Sequence, residues 1–198
     1  MYLKSEATNT IIIERSRFIT YMKRVKSEEE YRNYLAEIRK KHHDATHVCS
    51  AMICKNIRRS SDDGEPSGTA GAPILGVLDK KGLDEACALV VRYFGGIKLG
   101  AGGLIRAYSS SVSECVKNAI LIEEVSLPKY ELKISYETAN KIDHYLRNNT
   151  ILSDTAYDTD VTYFFALDDE GKIEKIKEFT KGIAPSKIGE EIIEKEVK

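Results

Sequence analysis

The chain has 198 residues, of which 42% are hydrophobic and 31% are charged, so it can fill a core and remain in solution. Its 30 basic and 31 acidic residues give a net charge of −1, which argues against a protein that holds nucleic acid by bulk positive charge. Residues 1–126 carry a net charge of +3 and residues 127–198 carry −4. The first segment is therefore the better candidate for an anionic partner, and the length allows one or two domains.

Membrane and export signals are missing from the sequence pattern. No run approaches the roughly 18 consecutive apolar residues of a membrane span. The polar start MYLKSEATNT lacks the apolar centre of a signal peptide. These observations predict a cytoplasmic protein that does not contact a membrane.

The cysteines point to structural thiols, because they form no C-x-x-C pair and three of them lie in apolar runs. We expect all four to be buried and reduced: Cys49, Cys54, Cys87 and Cys115. His43, His47 and Cys49 lie close in sequence, but they lack the spacing of a zinc site and an evident fourth ligand. We predict no metal and no other cofactor.

The first elements follow apolar periodicity. Residues 17–25 alternate like a strand, and residues 28–41 place apolar side chains on one helical face. Ser27 suits the N-cap of this helix, and Glu30 completes a capping box. Residues 47–53 are rich in Val, Cys and Ile and predict a second strand.

The next segment contains two loops and a buried strand. Residues 56–71 are polar, with three glycines and a proline, and predict a loop. A short helix is expected after Pro73, closed by Gly82. Residues 86–94 are the most apolar stretch and predict a buried central strand, after which a long helix begins near residues 102–103.

The charge balance changes near residue 125, which predicts two domains, 1–125 and 126–198. The second domain has the predicted order β-α-β-β-α-β, with strands at 129–136, 150–157, 160–167 and 188–197 and helices at 138–148 and 171–181. About 70 residues in this order are typical of the ferredoxin-like fold, an antiparallel sheet with two helices on one face. We therefore expect an α+β protein.

The acidic loop SDDGEPSGTAG is the first candidate site. Three interpretations remain open beside that of a folded surface loop: carboxylates that hold a hard cation, a nucleophilic serine, and an anion site made by hydroxyl and backbone donors. The loop is long for a compact domain, and long ordered loops are often functional. The candidate ligand-binding residues are Asp62, Asp63, Gly64, Glu65, Ser67, Gly68, Thr69 and Gly71.

The segment VVRYFGGIKLGAGGLIRAY is the second candidate site, because a strand, a glycine loop and a helix N-terminus together can bind phosphate. It matches neither the Walker loop nor the Rossmann fingerprint. Contact with an anion or RNA, and close packing of backbone on backbone, both remain open. The candidate residues are Arg92, Tyr93, Gly95, Gly96, Lys98, Gly100, Gly102, Gly103 and Arg106.

Three further residues lie beside these loops in the sequence. Arg58 and Arg59 precede the acidic loop and can add positive charge, and His47 at the start of a strand is a possible functional residue. Tyr93 or Phe94 can stack on a base if it is exposed. We predict no catalytic residue from the pattern.

These two motifs, together with SRF at 16–18 and DATHVC at 44–49, resemble the short bacterial form of the IMPACT family. The likeness spans roughly residues 10–122, and the remainder resembles the small C-terminal domain of bacterial members. The resemblance implies an N-terminal domain like domain IV of elongation factor G and a ribosomal small-subunit protein. It also implies a C-terminal domain like domain V of that factor. One departure is that relatives tend to have two adjacent histidines where this chain has His47-Val48.

The family is linked to regulation of translation and to stress responses. Its eukaryotic members counter a translation-initiation kinase by competing for its activator, with a region that this chain lacks. The leading hypothesis is a non-enzymatic regulator that contacts RNA, the ribosome or a translation factor. The alternatives are an enzyme that acts on a small anionic or phosphorylated ligand through the acidic loop, and a protein-interaction module.

Overall fold

The computed structural model describes residues 1–197, which form five helices and ten strands in two sheets. They divide into two compact units. Unit 1 comprises Met1–Glu123 and the described residues after Lys195, and unit 2 comprises Glu124–Lys195. The expected α+β class is confirmed. No helix within residues 1–197 is both long and apolar enough to cross a bilayer.

Unit 1 is built around an antiparallel sheet of order β2-β3-β6-β4-β5. The elements of this unit, up to the strand that continues into unit 2, are β1 (Tyr2–Leu3), β2 (Ala7–Ile13), β3 (Ser16–Arg24), α1 (Glu28–Lys41), β4 (His47–Cys54), β5 (Ile57–Ser61), α2 (Gly71–Lys80), β6 (Ala86–Tyr93), α3 (Gly100–Asn118) and β7 (Leu121–Ile134). The short β1 pairs with the beginning of β7.

Helices cover both faces of this sheet, which explains the continuous apolar sequence of β6. Ala86, Ala88 and Val90 belong to the core beneath α2 and α3, whereas the alternate residues of β6 belong to the core beneath α1. The same alternation continues to the end of the strand. Arg92 consequently lies on the face of the sheet that α2 and α3 cover, and Tyr93 lies on the face that α1 covers.

Several element boundaries differ from the sequence prediction. The loop predicted at 56–71 is wrong in its first part, because Ile57–Ser61 form edge strand β5. An edge strand exposed to solvent needs no apolar face, so its polar sequence concealed it. Helix α3 begins at Gly100 rather than near 102–103. The first helix has the predicted bounds, and Ser27 Oγ accepts from Glu30 N at 3.1 Å.

Unit 2 contains the rest of β7 and then α4 (Tyr136–Asn149), β8 (Ile151–Tyr157), β9 (Val161–Ala166), α5 (Lys172–Phe179) and β10 (Ser186–Val197). The predicted order β-α-β-β-α-β is confirmed. Strand β9 lies between β7 and β8, and β10 also pairs with β7. Side chains of α4, α5, β7 and β9 share one core.

Candidate functional site

The register of unit 1 brings three side chains into one row at an end of the sheet. Arg92 of β6 lies opposite Phe18 of β3 on one side and opposite His47 of β4 on the other. Residues directly opposite in neighbouring strands point to the same face. The two polar side chains, Arg92 and His47, thus lie on the α2–α3 face, where α3 begins.

A cavity of about 460 Å³ opens at this place and joins the two sequence motifs. Glu65 and Pro66 of the acidic loop lie on its wall together with Lys98, Leu99 and Gly100 at the start of α3. The remaining lining residues are Thr46, His47, Arg92, Phe94, Ala101 and Leu104. The acidic loop and the glycine loop therefore belong to one site in the tertiary structure.

Asp62 organises the acidic loop from within. One carboxylate oxygen accepts from Gly68 N at 2.8 Å, and the other accepts from Ala70 N at 3.0 Å and Gly71 N at 2.8 Å. Burial by itself raises the pKa of this carboxyl, but the three backbone N–H groups outweigh it and the pKa is lowered. Asp62 therefore caps α2 and is not free to hold a ligand.

Asp63 connects the loop to the sheet and to α1. Its carboxylate accepts from Val48 N at 2.7 Å and from the Arg39 guanidinium. Its carbonyl oxygen lies 2.8 Å from His47 Nδ1. The left-handed backbone at Asp63 (φ 46°) is a conformation that Asp tolerates better than most residues. Both aspartates thus have structural partners.

Glu65 is the carboxylate that reaches the cavity wall, and it is buried. Its Oε1 accepts from Arg92 Nη1 and from Tyr108 OH at 2.8 Å. Arg92 is buried as well, between the rings of Phe18 and Phe94, each 5.4 Å from its guanidinium carbon. A buried ion pair of this kind needs its remaining polar atoms satisfied, yet Arg92 Nε has no partner among the described residues.

Tyr108 donates to the Glu65 carboxylate of this ion pair, and Cys49 in turn contacts Tyr108. Cys49 Sγ donates to the Asp62 carbonyl at 2.9 Å and lies 3.3 Å from the Tyr108 hydroxyl. Burial raises the pKa of the Cys49 thiol to about 12 and holds that of Tyr108 far above its usual range. Neither group ionises near neutral pH, so they act as fixed donors. All four cysteines are buried and unpaired, which confirms the sequence prediction.

The start of α3 is the electropositive wall of the cavity. No side chain caps this helix, and its first turn contains no acidic residue. The first backbone N–H groups of a helix lack intrahelical acceptors and favour anions. Lys98 and Arg106 are exposed and have no hydrogen-bond or ion-pair partner within residues 1–197. Arg106 lines a second cavity, of about 440 Å³, which shares Lys98 and Leu99 with the first.

Other predicted site residues lie away from the cavity. Arg58 pairs with Asp79 and Arg59 pairs with Glu28, both on the exposed edge strand. Ser67 and Gly68 are exposed on the loop, whereas the Thr69 hydroxyl is bound to the Pro66 carbonyl at 2.6 Å. Tyr93 lies on the α1 face, where its hydroxyl meets His42 Nδ1 at 2.8 Å.

The glycines of both loops are needed for backbone geometry. A Cβ on Gly71 would lie 2.7 Å from Ser61 N, and one on Gly95 would lie 2.0 Å from the Arg15 carbonyl carbon. Positive φ angles account for the glycines at 64, 68, 96 and 100. Gly102 and Gly103 lie in the first turn of α3, where Gly103 faces Leu99.

Sequence reasoning missed Tyr108 as a polar component, because its position on the apolar face of α3 indicated only a core residue. Pro66 and Leu99 were not assigned to the site either, since no local pattern distinguishes them. No group of three or more His, Cys, Asp or Glu side chains in the described part of the chain is arranged to hold a metal ion.

Comparison with known proteins agrees with the motifs. A family model described as the Impact N-terminal domain matches residues 14–116, and a Bacillus subtilis (strain 168) protein named IMPACT family member YvyE is 41% identical over 95% of this chain and 90% of its own. The chain belongs to the IMPACT family. Escherichia coli (strain K12) IMPACT family member YigZ is 38% identical over 66% of this chain and 67% of its own.

A crystal structure of a hypothetical protein aligns with this IMPACT protein at a TM-score of 0.60 and 31% identity, over 96% of this chain and 97% of the other. The matched family segment, 14–116, contains every residue that lines the first cavity. The resemblance stated from the sequence motifs is thereby confirmed, and the cavity lies in the part of the chain that defines the family.

Proposed function

We propose that this IMPACT protein regulates translation by contacting RNA or the ribosome with the cavity face of its N-terminal domain, residues 1–125. The observation that carries the proposal is the convergence of both motif loops on one cavity at the uncapped start of α3. Family membership supports the link to translation, since the motifs resemble a family associated with its regulation.

The chemistry of this face suits single-stranded or looped RNA. The α3 N-terminus and Lys98 attract phosphate, and Phe94, which is 46% exposed, offers an aromatic surface on which a base can stack. Tyr93 does not offer such a surface, because it is bonded on the other face of the sheet. The positive charge is local, which fits a chain whose net charge is close to zero.

Charge reversal at the cavities tests this proposal. We expect Lys98→Glu and Arg106→Glu each to weaken binding of a fluorescent single-stranded RNA about tenfold and to lower the slope of log affinity against log salt by about one. Lys80→Glu is the matched control, because Lys80 is exposed in the last turn of α2 and lines neither cavity. Equal binding by all three variants, or salt-independent binding, contradicts the proposal.

The acidic-loop enzyme is less well supported by the geometry. Asp62 and Asp63 are occupied by backbone donors and by Arg39, and Oε1 of Glu65 is occupied by Arg92 and Tyr108. Among the carboxylate oxygens of Asp62, Asp63 and Glu65, only Oε2 of Glu65 lacks a hydrogen-bond partner within the described residues, and one such oxygen does not provide the acid and base that this alternative assigned to the loop. A protein-interaction role would appear as co-sedimentation with ribosomes by a protein that has no affinity for the isolated RNA.

A further inference from the structure

His47 presents a hydrogen-bond acceptor to the cavity. Its Nδ1 lies 2.8 Å from the Asp63 carbonyl oxygen, and a carbonyl can only accept, so Nδ1 carries the hydrogen. In the neutral imidazole the other nitrogen, Nε2, then holds a lone pair. His47 lines the cavity and its side chain is 21% exposed, so a ligand in the cavity can approach it.

A second acceptor lies beside it. Glu65 Oε1 already accepts from Arg92 and Tyr108, whereas Oε2 lies 3.9 Å from His47 Nε2, beyond hydrogen-bond distance. When His47 is neutral, its Nε2 and Glu65 Oε2 are both acceptors, so neither can bond to the other and a donor from outside is needed to satisfy them. A hydroxyl group of a ligand can supply that donor.

Donors without acceptors line the same cavity. Arg92 has a side chain only 6% exposed, and its Nε–H has no partner among the described residues, which is an unfavourable state for a buried donor. The first residues of α3, which has no side-chain cap, and Lys98 also line the cavity. These donors call for an anionic oxygen.

A ligand that satisfies both the acceptors and the donors carries a hydroxyl and an anion, and Phe94 adds a surface for a flat ring. A ribonucleotide has this combination: a phosphate, a 2′-hydroxyl and a base. The two cavities share Lys98 and Leu99, so a chain of nucleotides can continue from the first cavity into the second along α3. This continuity favours a polymer over a single small sugar phosphate.

We propose that the cavity distinguishes RNA from DNA, with His47 Nε2 accepting a hydrogen bond from a ribose 2′-hydroxyl while the α3 N-terminus and Lys98 bind the neighbouring phosphate. The inference rests on the proposed function, because it requires RNA to enter the cavity. His47 is then a specificity-determining residue, and Lys98 contributes affinity that does not depend on the sugar.

The sugar of the probe tests the inference with the unaltered protein. Fluorescence anisotropy compares single-stranded RNA, DNA and 2′-fluoro RNA of one sequence; the 2′-fluoro probe keeps the RNA sugar pucker but has no hydroxyl to donate. We expect RNA to bind about fivefold to tenfold more tightly than either analogue, as one hydrogen bond in a half-open site predicts. Equal affinity for RNA and 2′-fluoro RNA overturns the inference and leaves the proposed function standing. If the protein binds none of the three probes, both the inference and the proposed function are wrong.

Substitution of His47 completes the test. His47→Ala is expected to bind RNA and 2′-fluoro RNA equally, whereas Lys98→Glu weakens both by the same factor and keeps their ratio. His47→Gln retains a side-chain acceptor and is expected to keep part of the preference for RNA. Thermal unfolding of each variant establishes that it is folded, and a preference for RNA that survives in folded His47→Ala rules out His47 as the acceptor.

Discussion

Arg92 and Tyr93 are neighbours in β6, yet they belong to two different kinds of polar cluster. On the α1 face, the Tyr93 hydroxyl meets His42 Nδ1 and donates to Asp44, while His42 Nε2 meets Tyr21 OH at 2.8 Å. On the α2–α3 face, Arg92 keeps an unpaired Nε and opens on a cavity. In the first, closed cluster these side chains bond to one another, so we assign it a structural role. In the second, open cluster some polar atoms keep no protein partner, so it can bind a ligand.

The largest effect is expected from breaking the open cluster at Glu65. Glu65→Ala leaves the Arg92 charge buried without its partner and should lower the free energy of unfolding by about 3–5 kcal/mol in urea titrations. The double variant Glu65→Leu with Arg92→Met removes both charges and should recover most of that stability. If the double variant is as unstable as Glu65→Ala, the unpaired charge is not the cause.

A smaller loss is expected when the acidic loop loses its internal acceptor. Asp62→Ala leaves three backbone N–H groups unsatisfied and should cost about 2–3 kcal/mol of unfolding free energy. The pKa of Asp62 is lowered in the folded state. Its contribution is therefore fully present above the unfolded-state pKa, about 3.9, and is lost as the pH falls through the folded-state pKa.

Stability measured between pH 7 and pH 2 checks this sign. The difference between the original protein and Asp62→Ala should be constant at neutral pH and should shrink in acid. Asp44→Asn, on the closed cluster, is a carboxylate control outside the acidic loop. A difference that grows as the pH falls contradicts the role given to Asp62.

The smallest effects are expected from substitutions of the two aromatic residues at the end of β6. Phe94→Ala should weaken RNA binding by about 1–2 kcal/mol through lost stacking, and its loss of stability should be smaller than that of Glu65→Ala because Phe94 is 46% exposed. Tyr93→Phe should cost about 1 kcal/mol of stability through its lost hydroxyl contacts and leave RNA affinity unchanged. The opposite result, with affinity lost in Tyr93→Phe alone, would place the binding surface on the α1 face.

Local patterns in the sequence predicted much of the fold. The 14-residue helix α1 and its Ser27 cap follow from apolar spacing and capping chemistry, and the order of unit 2 follows from the same rules. Edge strand β5 was missed, because Arg58, Arg59 and two serines carry no apolar signal. The division at residue 125 stays a prediction from charge balance.

For the candidate site, the sequence identified both loops but not which of their side chains stabilise the loop and which face the cavity. Asp62, Asp63 and Glu65 look alike in the sequence, yet two stabilise the loop and one faces Arg92. Arg92 and Tyr93 likewise look equivalent until the alternation of β6 is anchored to a core. Hydrogen-bond partners of this kind come from distant segments, so no local pattern contains them.

The sequence by itself determined the α+β class and the two loops, because glycine content, capping residues and apolar periodicity act over a few residues, and the motifs in those loops carried the resemblance to the family. Only the tertiary structure decided that the loops meet at the start of α3 and that His47, Glu65 and Arg92 share one wall. The physical reason is register: pairing of β3, β4 and β6 places residues far apart in the chain in one row. Burial then determines which of their polar atoms remain without partners.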